Sequence, residues 1–75
     1  MVLDLLVHRT SDGFTAEVPS IKGCETWAAT EDEVLEKIEE LTRYYLKRGD
    51  KKLVLDKARG GFDTSLYKIM VKSND

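Results

Sequence analysis

FTAEVPSIKGCETWAATEDEVLEKIEELTRYYL, residues 14–46, changes its apolar spacing from two to about 3.6 near Thr30, and the fold follows from that change. Phe14, Ala16 and Val18 alternate with Thr15 and Glu17, the pattern of a strand with one buried face. Pro19 cannot donate to a ladder and ends that strand, and PSIKG makes a loop. A second strand then places Cys24, Thr26 and Ala28 opposite Glu25, Trp27 and Ala29. At Thr30 the period changes. Its hydroxyl can accept from the amide of Glu33 while the Glu33 side chain reaches back, a capping box that starts a helix. Val34, Leu35, Ile38, Leu41, Tyr45 and Leu46 fall on one side of that helix, and Glu36, Lys37, Glu40, Arg43 and Lys47 on the other. Acids in the first turn and Lys47 and Arg48 at the far end suit the helix dipole, and Gly49 suits a left-handed stop.

Toward the N-terminus, VLDLLVHR sets Leu3, Leu5 and Val7 on a core face and Val2, Asp4, Leu6 and His8 on the other. Ser11-Asp12-Gly13 supplies the turn that folds this strand back on the next. Toward the C-terminus, KKLVLDK is short and strand-like, ARGGFDT reads as a loop from its paired glycines, and SLYKIMVK is rich in strand formers. The expectation is one α+β domain spanning residues 1–75, an antiparallel β-β-β-α-β sheet with one helix packed on one face. Its strands lie at about 2–9, 13–18 and 24–29, its helix at about 31–48 and its C-terminal strand at about 65–72. Residues 50–58 are open to either strand or loop, which leaves room for a further C-terminal strand.

Composition narrows the class. At 75 residues, with 41% hydrophobic and 35% charged side chains, the chain can bury one thin core and gains from a second copy or a partner. No apolar run approaches the ~20 residues that span a bilayer, so a cytoplasmic protein is expected. Cys24 is the single cysteine and His8 the single histidine, too few for a disulfide or a metal cluster. The net charge of −2 hides a polar distribution. Residues 1–42 carry ten acids and three bases, and residues 43–59 carry seven bases and two acids.

Phe14, Ala16, Val18, Pro19, Ile21, Gly23, Cys24, Thr30, Glu33, Leu35, Ile38 and Leu46 together resemble the N-terminal domain of HicB-like antitoxins. That pattern is an aromatic, Ala-x-Val-Pro, a short loop closing in Gly-Cys, and a Thr-capped acidic helix. With the preceding hairpin it covers roughly the first two thirds of the chain. Ser20 stands where the family often has Asp, Lys22 where it often has Pro, and Ala28-Ala29 where Gly-Asp is common. The resemblance implies a partial ribonuclease-H-like fold that binds and blocks a small basic HicA-type ribonuclease toxin. It also implies self-association. Many family members continue into a DNA-binding domain, and nothing after Leu46 reads as one, so operator binding is not carried over.

The implied fold prompts a search for catalytic acids, and Asp4, Glu36 or Glu40, and Asp56 occur in a suitable order. Their periodicity points them apart, with Asp4 on the face away from the helix and Glu36 and Glu40 toward solvent. His8 and Cys24 lack a third orienting group. No catalytic, cofactor or metal residues are therefore expected. Lys47, Arg48, Lys51, Lys52, Lys57 and Arg59, with Tyr44, Tyr45 and Phe62, could track a nucleic acid, but Asp50 and Asp56 interrupt the run and the pI is about 5.4. Nucleic-acid binding by the chain alone is not expected. The expected contacts with a basic toxin are Glu31, Asp32, Glu36, Glu39 and Glu40. Trp27, Val2 and Leu6 share the face away from the helix, and with Tyr67, Ile69 and Val71 of the last strand they form the expected interface of a homodimer or higher oligomer. The alternative is a solitary domain of this fold with no toxin, serving as an oligomeric adaptor or ligand-binding protein.

Overall fold

The structure, a computed structural model, describes residues 2–47 and 52–72. Five strands and one helix follow in the order β1 (Val2–Arg9), β2 (Phe14–Glu17), β3 (Glu25–Ala28), α1 (Glu31–Leu46), β4 (Lys52–Gly60) and β5 (Thr64–Lys72). The strands form one antiparallel sheet in the order β3-β2-β1-β5-β4. Fold class and element order through α1 agree with the sequence reading. In the C-terminal third the structure has the further strand that the sequence left open. Residues 52–60 are a full strand, only 61–63 of ARGGFDT lie between strands, and the strand directly after the helix is the sheet edge while the last one sits beside β1.

Register sorts the residues into two faces. Val7 stands opposite Ala16 and Ser65, Leu5 opposite Tyr67, and Leu3 opposite Ile69, which in turn faces Leu55. These residues share the helix side. Beneath the helix Ala16, Ala28 and Cys24 are small, so α1 approaches β2 and β3 closely. Val34 and Ile38 fill the gap and are fully buried, each contributing roughly 1.5–3 kcal/mol. Leu5, Val7, Val18, Leu53, Tyr67 and Ile69 complete the core.

The helix begins as its sequence dictates, with extended Thr30 accepting from the Glu33 amide at 3.2 Å. It ends differently. Lys47, not glycine, takes the left-handed position at φ 54° and its N–H reaches back to the carbonyls of Arg43 and Tyr44. The expected Gly49 stop and Arg48 lie outside the described residues. One core position on the helix is polar: Thr42 is fully buried, donates to the Ile38 carbonyl at 2.6 Å and lies 3.6 Å from the Cys24 sulfur. The Val18–Cys24 loop is closed by backbone bonds, and Gly23 at φ 83° offers its carbonyl to the Tyr45 hydroxyl at 3.3 Å.

Candidate interaction surfaces

Four residues apart on α1, Asp32, Glu36 and Glu40 line up on the solvent side, and all three are exposed. Like charges at that spacing oppose helix formation by a few tenths of a kcal/mol per pair. The other two acids expected at this surface have partners. Glu39 accepts from Arg43 at 3.1 Å, and Glu31 accepts from the Tyr67 hydroxyl at 2.9 Å. The exposed stripe is therefore Asp32, Glu36 and Glu40, flanked by exposed Glu33. At its C-terminal end exposed Tyr44 stands edge-on to Tyr45, centroids 5.7 Å apart, and with Glu40, Arg43 and Lys47 they line an open, largely apolar depression.

Lys37 donates from its ammonium to the Trp27 carbonyl at 3.2 Å, tying the helix to β3. Tyr67 does the same for β5. Its hydroxyl is taken out of water and bonded to a carboxylate, which together hold its pKa up at about 12. Lys57 lies over the Tyr67 ring at 5.8 Å.

The far face of the sheet carries Val2, Leu6 and Trp27 as expected, with Val2 60% and Trp27 44% exposed. Tyr67, Ile69 and Val71 are not among them. Pairing of β5 with β1 at Leu5–Tyr67 and Leu3–Ile69 turns those three to the helix side, where Tyr67 and Ile69 are buried and Val71 packs against the core. Leu66 and Met70 occupy the far face in their place, with Val54 beside Met70. The signal was present in SLYKIMVK, where Lys68 and Lys72 share the alternation of Leu66 and Met70 and leave Tyr67, Ile69 and Val71 as the more apolar, inward set.

Polar groups order the same face. Lys68 bridges to Asp4 and stands opposite Asp56. His8 is held between Thr64 (Nδ1 to Oγ1, 3.1 Å) and Glu17 (Nε2 to Oε1, 3.2 Å), at the rim of an open depression of about 380 Å³ shared with Thr15, Glu25 and Trp27. His8 and Cys24 do not meet. Cys24 is buried on the helix side, and burial pushes its thiol pKa up against a smaller opposing effect from Thr42. Asp4 and the helix acids likewise sit on opposite sides of the sheet, too far apart to share an ion. Tyr44 and Tyr45 mark the C-terminal end of α1, whereas Phe62 and Glu31 line one depression at its N-terminal end, about 20 Å away along the axis. The three aromatics form no common stacking platform.

Among the described residues no helix is long and apolar enough to cross a membrane. Comparison of the chain with protein-family models, with curated proteins and with solved structures gives no significant match.

Proposed function

We propose that the chain is a protein-binding module of the HicB-like antitoxin type, which neutralises a small basic HicA-like ribonuclease by occluding it. The observation that carries this reading is the stripe of Asp32, Glu36 and Glu40, an alignment of like charge that helix stability disfavours and a basic partner would compensate. Exposed Tyr44 at its end supplies an aromatic anchor of the kind that dominates binding energy in interfaces. The proposal includes no catalytic step, a cytoplasmic setting and self-association of the chain.

Co-expression with a small basic ribonuclease encoded beside it tests the proposal. The expected result is co-purification, loss of ribonuclease activity in the complex, and at least about tenfold weaker capture when Glu36→Lys and Glu40→Lys are combined. Undiminished capture by the reversed helix refutes the assigned surface, and a fully active ribonuclease in the mixture refutes the function.

A second reading has its own observation. On the far face Val2, Met70 and Val54 form one apolar row, the charged row Asp4–Lys68–Asp56 separates it from Leu6 and Leu66, and exposed Trp27 lies beyond them; these apolar groups outside the core suit an oligomeric adaptor with no toxin. A genomic setting without a neighbouring short basic protein favours it.

A further inference from the structure

β4 is the outer strand of the sheet, so one side of Lys52–Gly60 has no neighbouring strand within the described sheet. Native sheets protect such edges with charges, bulges or covers, because unpaired N–H and C=O groups recruit other chains. Protection is uneven here. A register break between Lys57 and Arg59 disrupts the second half of β4, whereas Lys52–Asp56 pairs regularly with β5.

The regular half reads Lys52-Leu53-Val54-Leu55-Asp56, and its chemistry is symmetric about Val54 with one difference: the two ends carry opposite charges. Laid antiparallel against itself with Val54 at the centre, it sets Leu53 opposite Leu55 twice and Lys52 opposite Asp56 twice. Neighbouring registers that keep the pleat do worse. Centring on Leu55 opposes Leu53 to Lys57 and Val54 to Asp56, centring on Asp56 opposes two acids, and centring on Leu53 opposes Lys52 to Val54.

We propose that β4 pairs edge to edge with β4 of a second copy, antiparallel and centred on Val54, to make a two-fold dimer with one continuous ten-stranded sheet. Five residues a side give about four to six backbone hydrogen bonds. Existing rows then run on through the dyad. The helix-side row Leu3–Ile69–Leu55 meets Leu53 and Val71 of the second copy, and the far-side row Val2–Met70–Val54 meets its own image. The charged row Asp4–Lys68–Asp56 gains Lys52 of the second copy, continuing its alternation of sign. This pairing is independent of the ribonuclease reading, since it uses the edge strand and not the acidic stripe.

The test uses the full chain. Sedimentation across a range of concentrations should show a monomer–dimer equilibrium. Lys52→Asp alone and Asp56→Lys alone each oppose like charges twice and should weaken dimerisation by about tenfold. The double swap should restore it, with circular dichroism confirming the fold of each variant. Under mild oxidation Val54→Cys should link two copies. Asp56→Cys should not, because the two substituted sites lie about 13 Å apart along the strands. Cys24, 2% exposed, stays silent in that assay. A monomer mass throughout, linkage through position 56 but not 54, or a double swap as weak as the single variants overturns the proposal.

Discussion

Tyr67→Phe removes one oxygen atom and, with it, the bond that fastens β5 to the first turn of α1. A hydrogen bond to a charged acceptor contributes about 1.5–3 kcal/mol. Glu31 is half-buried and can turn to water once the phenol is gone, so a loss of about 1–2 kcal/mol is expected at neutral pH. The ring remains, and with it the packing against the core and the Lys57 contact. For a domain of this size the melting temperature should fall by roughly 5–15 °C.

The pH dependence gives the same interaction a second signature. Below the ordinary tyrosine value of 10, Tyr67 is neutral in both folded and unfolded chains, and its contribution is complete. Between pH 10 and about 12 the unfolded chain loses the proton while the folded chain keeps it, so stability falls as pH rises. Two units correspond to at most about 2.7 kcal/mol. Guanidinium unfolding of both proteins from pH 7 to 11.5, followed by circular dichroism, should show the gap between them closing above pH 10. A phenylalanine variant within about 0.3 kcal/mol of the parent at pH 7, which is the size of the measurement error, or a gap that stays constant with pH, refutes this account of the clasp.

Lys47→Gly should stabilise the chain by about 0.5–1 kcal/mol, since a left-handed cap carries a side-chain penalty that glycine lacks; equal or lower stability in urea contradicts it. Gly13→Ala should cost more than about 1 kcal/mol, because a Cβ there would clash with the Ala28 carbonyl oxygen and lie 2.8 Å from the Trp27 ring; an unchanged thermal midpoint contradicts the close approach. Cys24 should react with an aromatic disulfide reagent at pH 8 only after unfolding, given its burial and raised pKa; prompt labelling of the native chain contradicts it. Trp27, the single tryptophan, stands on β3, the edge opposite β4, so its quenching by acrylamide should not change as dimers form. Protection on assembly would instead place the contact on the far face.

What the sequence made legible was whatever a single period or a local bond specifies. Phe14, Ala16 and Val18, the Pro19 break and the Thr30 cap each act within a few residues, and the elements they define stand within a residue or two of where they were expected. β4, and which strand β5 joins, depend on partners distant in the chain. The facing of β5 was legible, because Lys68 and Lys72 share the alternation of Leu66 and Met70 and leave Tyr67, Ile69 and Val71 as the apolar set, which pairing with Leu3 and Leu5 turns to the helix side. Thr42 escaped notice for another reason. A hydroxyl on the apolar side of a helix is tolerated once it finds the carbonyl four residues back, and no pattern in the sequence announces that bond. Of the expected acidic surface, Glu31 and Glu39 were legible as charges but not as groups already engaged.

The helix stripe, the far face and the β4 edge lie on three different aspects of one sheet, and this arrangement constrains how their uses combine. A two-fold axis through Val54, perpendicular to the sheet, maps the helix side onto the helix side. Both copies of α1 in the proposed dimer therefore face the same way, and the two stripes of Asp32, Glu36 and Glu40 are presented on a common side with the sheet as a rigid spacer. A partner that is itself dimeric would meet both stripes at once, with the second contact made at high effective concentration. The far side gains in the opposite sense. Joining the rows Val2–Met70–Val54 end to end doubles an apolar strip without covering it, so edge pairing increases the tendency of that face to meet another surface. In the proposed dimer, self-association through β4 and a role for the Trp27 face are thus cumulative, since pairing at the edge leaves the far face open.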